Sequence, residues 1–176
     1  MSVFIIAQTI GLAGYLLYCA SPHFSSRQYI LGLEISAYLI FCLQWALLGH
    51  ETLLISNGVG VIATAIALTG FSSSLRRRLI YTLYPLCGAL MLFYAQDAIL
   101  DCFAALGTFF VLTAKLDDDV MRLRVYAALA GFCFLSSSLM VLCFVPALFN
   151  SVFLAGHLRK ITLTRQTPVL SSALSH

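Results

Sequence analysis

The chain has 176 residues, 61% of them hydrophobic, and carries 10 Lys+Arg against 7 Asp+Glu. Soluble domains are about 45–50% apolar and about 25% charged, so a mean hydropathy of +0.96 excludes a water-soluble enzyme, a nucleic-acid module and a disordered tail. A helical span needs about 20 apolar residues, which gives this length six to eight crossings of a lipid bilayer and little outside it.

Charged and turn residues mark off the spans in order. Val3–Ala20 is apolar, and no basic residue precedes it as a cleaved leader would require, so a retained first span is expected. Ser21-Pro22-His23 follows. Tyr29–Leu48 is apolar apart from Glu34 and stops at Gly49-His50-Glu51. Leu53–Phe71 is uncharged and ends at Ser72-Ser73-Ser74-Leu75-Arg76-Arg77-Arg78. Leu79–Gln96 closes at Asp97, and Ala98–Ala114 carries only Asp101 before Lys115 and Asp117-Asp118-Asp119. Val125–Leu158 has no formal charge over 34 residues. A single helix of that length would measure about 51 Å against a hydrocarbon core of about 30 Å. Two spans are therefore expected, turning near Ser136–Met140 with Pro146 early in the second. The total is seven.

An odd number of crossings puts every Lys and Arg on one side: Arg27, then Arg76–Arg78, then Lys115, Arg122 and Arg124, then Arg159, Lys160 and Arg165. The other side keeps only Glu51 and Asp97. The positive-inside rule makes the basic side cytoplasmic, the N-terminus periplasmic and the C-terminus cytoplasmic. Tyr18, Tyr29, Tyr81, Tyr94, Tyr126 and Trp45 fall near span ends, as interfacial aromatic belts require.

Seven spans also divide into three, one and three. At an offset of 93 residues Asn57 falls on Asn150, Gly14 on Gly107, Gln8 on Asp101 and Val59 on Val152. Each pair occupies the same turn of the corresponding span. Asparagine within a span is rare because an unpaired amide in hydrocarbon is costly, so the pair of asparagines carries the comparison. The expected architecture is all-α and transmembrane, with two parallel three-helix repeats joined by an inverting linker helix. The boundaries are 1–71 for the first repeat, 72–96 for the linker, 97–160 for the second repeat and 161–176 for a cytoplasmic tail.

Ala7-Gln8-x-x-Gly11, Leu47-Leu48-Gly49, Asn57, Gly107-Thr108, Met121-Arg122 and Asn150 together resemble the YgjV family of bacterial inner-membrane proteins, over about Ala7 to Arg159. The three-one-three layout is similar to the PQ-loop group, which includes the SWEET and SemiSWEET sugar transporters. That similarity implies a substrate site between the repeats faced by an asparagine on the third helix of each, here Asn57 and Asn150. The Pro-Gln hinge of those transporters would fall at Ala7-Gln8 and Leu100-Asp101, and proline is absent from both positions.

The remaining polar residues have local readings. Two amides facing each other suit a small neutral polar solute, with Gln8 and Asp101 shaping the outer half of the path; the alternative is that each amide ties helices together. Asp101 can equally snorkel to the headgroups. Glu34 lies two turns from Arg27, so an ion pair between them or a solvated interfacial carboxylate is expected. Asp117–Asp119 lacks calcium-loop spacing and reads as a solvated turn balanced by Lys115 and Arg122, and Arg76–Arg78 as a topology signal with anionic-lipid contact second. Gly11 and Gly14, and Gly58 with Ala65, are small residues suited to close helix approach. No Gly-x-x-x-Gly occurs, so a homo-oligomer has no motif behind it.

No HExxH, GxSxG or P-loop pattern occurs, and the histidines do not pair at one depth as haem ligation requires. The six cysteines (Cys19, Cys42, Cys87, Cys102, Cys133, Cys143) form no CxxC. A non-enzymatic bacterial inner-membrane protein without cofactor or metal is expected. Its partners are the lipid bilayer and a small polar solute, not nucleic acid; the alternative is a sensor, scaffold or partner-binding protein that moves nothing.

Overall fold

A computed structural model describes residues 3–95, 97–116, 118–140 and 144–173, with side chains as far as Thr164. Gln96, Asp117, Cys143, His176 and the Arg165 side chain lie outside the described residues. Seven α-helices follow the apolar stretches: α1 Val3–Ala20, α2 Arg27–Leu48, α3 Glu51–Leu68, α4 Ser73–Phe93, α5 Ala98–Leu116, α6 Val120–Met140 and α7 Phe144–Ala173. Among the described residues α1, α2, α3, α5 and α6 are long and apolar enough to cross a membrane. Of the other two, α4 has three consecutive arginines, Arg76–Arg78, and α7 holds Arg159 and Lys160.

The helix ends follow from local chemistry. Gly49 takes a left-handed conformation (φ 71°) that lets its N–H close the last turn of α2 on Ala46 and Trp45, a conformation that costs glycine least. Asp97 accepts from the N–H groups of Ile99 and Leu100, both at 3.0 Å, and Asp119 from that of Met121 at 2.8 Å, so carboxylates start α5 and α6. Ser136–Met140, where a turn was expected, belong to α6. Ser136, Ser137 and Ser138 stay helical because each hydroxyl donates to the carbonyl four residues back, which satisfies it without leaving the helix.

Around the molecule α1 lies against α2, α2 against α3, α3 against α5, α5 against α6, α6 against α7, and α7 against α1. Six helices thus close a ring, and α4 sits outside it against α3 and α5. There Ile80, Leu83, Cys87 and Met91 meet Val59, Ala63 and Leu112, and the Tyr84 hydroxyl bonds Thr113 at 2.8 Å.

The two seams of the ring use corresponding positions. On one, Ser56 of α3 and Thr108 of α5 share a hydrogen bond of 2.6 Å. On the other, Phe149 of α7 stacks on Tyr15 of α1 with centroids 5.3 Å apart. Phe149 and Tyr15 are the residues that the 93-residue offset pairs with Ser56 and Thr108.

Apolar side chains cover both surfaces of the ring. Leu92, Phe93 and Phe144 are strongly exposed, while the ring interior gathers Tyr15, Tyr18, Tyr38, Phe41, Trp45 and Phe153. Tyr18 and Trp45 are therefore interior rather than interfacial, whereas Tyr29, Tyr81 and Tyr94 are exposed. In a lipid-facing chain, closeness to a helix end does not by itself bring an aromatic ring to the surface.

At one end of the ring the arginines tie loops to helices. Arg76 grips Asp118 with two parallel bonds of 2.9 and 2.7 Å, and Arg27 lies 3.5 Å from the same carboxylate while donating to the Ala67 carbonyl at 3.2 Å. Arg124 donates to the carbonyls of Pro22 and Phe24. This corrects two expectations. Asp118, though solvated, is paired with α4 and α2, and Lys115 is taken by Glu34, while Asp119 lies 3.8 Å from Arg122 as expected; Arg76 is a buried structural clamp while Arg77 and Arg78 remain exposed. A fork-on-fork geometry explains why this arginine left the surface.

Candidate functional site

Asn57 and Asn150 meet on one cavity inside the ring. Its walls are Tyr15 and Tyr18 of α1, Tyr38, Phe41 and Trp45 of α2, Leu53 and Asn57 of α3, Phe134, Ser137 and Ser138 of α6, and Asn150 of α7. The two asparagines each lie six residues beyond the first residue of their helix, Glu51 and Phe144, which places both about 9 Å along it. They sit at one level, for Asn57 about a third of the way along α3 from its charge-poor end.

Each amide nitrogen donates one of its two N–H groups within the protein. Asn57 Nδ2 donates to the Leu53 carbonyl at 2.7 Å, and Asn150 Nδ2 to Ser138 Oγ at 3.2 Å. Ser138 in turn donates to the Phe134 carbonyl at 2.7 Å. Neither asparagine Oδ1 has a hydrogen-bond donor among the described residues, so both are open to accept from hydroxyls in the cavity. The rest of the wall is mainly aromatic. Such a wall can cover apolar surface with ring faces and accept hydrogen bonds at the two amide oxygens.

The cavity is small, about 40 Å³. One water needs roughly 10–15 Å³ measured in this way, so the closed ring has room for about three.

The wall is shaped by glycines. A Cβ added at Gly14 would lie 2.8 Å from the Phe41 ring, and one added at Gly107 would lie 2.8 Å from the Phe134 ring. Each glycine lets a phenylalanine of the next helix lean across it. Gly58, by contrast, has nothing within 4 Å, and the close approach on α3 is at Gly60, where Tyr38 lies 3.2 Å from the Cβ position.

Gln8 and Asp101 do not line this cavity. Gln8 is half-buried on α1, and its Oε1 is enclosed without a donor among the described residues. Asp101 is buried in the first turn of α5, where Oδ2 accepts from the Asp97 N–H at 2.9 Å. That bond, together with the Asp97 cap, secures the start of the helix, and it holds the carboxylate inward instead of out among headgroups.

Glu34 is fully buried and pairs with Lys115 of α5, not with Arg27. Lys115 is itself buried rather than at a solvated loop edge. Arg27 turned instead to Asp118 and Ala67, which left Glu34 free to take a partner across the ring.

Sequence reasoning reached the two asparagines and missed their aromatic surroundings. A signal was present: Tyr38, Phe41 and Trp45 fall at i, i+3 and i+7, one face of α2. Phe41 and Phe134 also coincide at the same offset as the asparagines.

The family model Imp-YgjV, described as bacterial inner membrane protein, matches residues 5–167. No curated protein and no solved structure matches the chain.

Proposed function

The chain belongs to the Imp-YgjV family of bacterial inner-membrane proteins, and we propose that it is a transporter of a small neutral polar solute, sugar-like in its hydroxyl chemistry, rather than an enzyme. All seven helices cross the membrane, with the arginine-rich end of the ring in the cytoplasm and the N-terminus in the periplasm. The ring is read as two parallel three-helix repeats joined by α4, in a SWEET-like layout. The matching seams Ser56–Thr108 and Tyr15–Phe149 support that reading. Asn57 and Asn150 bind the solute, and Gln8 and Asp101 flank the path from outside.

The observation that carries the proposal is a single cavity whose lining includes both asparagines. A merely structural pair of amides has no need of a common void, and void space in a packed interior forfeits contacts.

A second reading is favoured by one observation, the cavity's volume of about 40 Å³. A ring this tightly closed also suits a sensor, scaffold or partner-binding protein that works through its loops. Uptake into proteoliposomes separates the two. The transporter admits radiolabelled small polyols or sugars, and Asn57→Ala and Asn150→Ala each abolish that uptake while the protein elutes and melts as before. Uptake unchanged in both variants would remove the proposal.

A further inference from the structure

Beneath the cavity, toward the arginine-rich end, the ring interior is closed by a layer of aromatic rings and then by a buried ion pair. Tyr18 of α1 stacks on Phe153 of α7 with centroids 3.7 Å apart. Tyr38 of α2 lies over Gly60 of α3, and Phe153 lies over Gly131 of α6, with the Cβ positions 3.2 and 3.1 Å from the respective rings. At the 93-residue offset Tyr38 coincides with Gly131 and Gly60 with Phe153. Ring and glycine have changed places at these two positions, with Tyr38 from α2 on one and Phe153 from α7 on the other.

One turn below Tyr38 on α2 is Glu34, bonded to Lys115 near the end of α5, both side chains about 2% exposed. His157, one turn below Phe153 on α7, is fully buried as well. The ion pair is thus directly under the aromatic floor. Its position in the ring is informative. α2 does not pack along α5; its ring neighbours are α1 and α3, and those of α5 are α3 and α6. The long lysine side chain therefore reaches across the ring from the second three-helix unit to the first.

We infer that the Glu34–Lys115 pair is a latch that holds the cavity shut toward the arginine-rich end, and that solute leaves on that side when the pair parts and Tyr18 withdraws from Phe153. The inference rests on the solute-path reading above and adds the gate. Two buried charges recover by their attraction little more than they lose in desolvation. Such a bond holds a closed state with a small bias that a conformational change can overcome, unlike a packed apolar seam.

The test uses the full-length chain with its native cysteines replaced and Ser137→Cys placed in the cavity wall, in inside-out membrane vesicles. The readout is the rate of reaction with a membrane-impermeant maleimide. With Glu34 and Lys115 intact the cavity cysteine reacts slowly. In the Glu34→Met/Lys115→Met double variant, which leaves no buried charge unpaired, the rate rises by about tenfold or more. The charge-swapped Glu34→Lys/Lys115→Glu variant returns to the slow rate. A methionine pair that reacts no faster than the parent, or a swapped pair that reacts as fast as the methionine pair, would overturn the latch. Asn57→Ala serves as the control on solute binding: it removes uptake and leaves the labelling rate unchanged. Rates that respond to the latch in a protein that takes up no solute would retain the gate and discard the transport reading.

Discussion

Phe134 of α6 and Phe41 of α2 occupy matching places on the cavity wall. The two rings are 93 positions apart in the chain, both line the same cavity, and each leans on a glycine of the preceding helix, Gly107 and Gly14, with the same 2.8 Å clearance to a Cβ position. Every helix–helix neighbour in the six-membered ring has a counterpart under the same offset: α1–α2 with α5–α6, α2–α3 with α6–α7, and α3–α5 with α7–α1.

Overpacking at the two glycines follows from that geometry. Gly14→Ala and Gly107→Ala each insert a methyl where an aromatic ring already stands, and each is expected to cost about 1–3 kcal/mol. Gly58→Ala, with open space around it, should be neutral or slightly stabilising, since alanine is the better helix former. Thermal unfolding of the purified protein in detergent checks all three, and equal loss at Gly58 would contradict the geometry.

The buried ion pair gives a different pattern. Lys115→Ala leaves the Glu34 carboxylate alone inside the ring, and loss of one buried partner typically costs about 3–5 kcal/mol. Replacing both residues by methionine should cost far less, because no uncompensated charge remains. Denaturation of the single and double variants in the same detergent measures the difference.

Ser138 bridges Asn150 to the α6 backbone. Ser138→Ala removes that bridge, and side-chain hydrogen bonds between membrane helices are worth about 0.6–1.7 kcal/mol. A loss of stability in that range is expected, together with weaker solute binding as Asn150 loses its fixed rotamer. Side-by-side melting and binding curves test it.

At the arginine-rich end, Arg76 and Arg77 are adjacent yet differently placed. Arg76→Ala breaks the fork on Asp118 and is expected to cost about 1 kcal/mol, discounted because the Asp118 side chain is 65% exposed. Arg77→Ala should stay within about 0.5 kcal/mol. Melting temperatures of the two variants suffice to separate them.

The helices themselves were legible because charge and glycine, proline and serine clusters interrupt the apolar runs, and because an uncharged stretch from Val125 to Leu158 is too long for one crossing. The asparagines were legible because polar side chains inside a span are conspicuous. What faces inward was not. In a soluble helix the polar face reports the outside, but here Phe93 on the exterior and Phe153 in the interior are equally apolar, and periodicity cannot tell lipid from core. The partners of Glu34 and Asp118 were hidden for another reason: both bonds cross between helices far apart in the chain, Glu34 to Lys115 and Asp118 to Arg76, while the nearer partners on the sequence were more obvious. The serines near the end of α6 read as a turn because their backbone-directed hydrogen bonds serve helix and turn alike.

Trp45 is the single tryptophan of the chain and lines the same cavity as both asparagines, so its fluorescence reads the site. Titrating the purified protein with a panel of small polyols and sugars should give a saturable change in Trp45 emission with at least one of them, and the change should vanish in Asn57→Ala and in Asn150→Ala. No saturable change with any of them, or the same change in both variants, would contradict a solute site between the two asparagines.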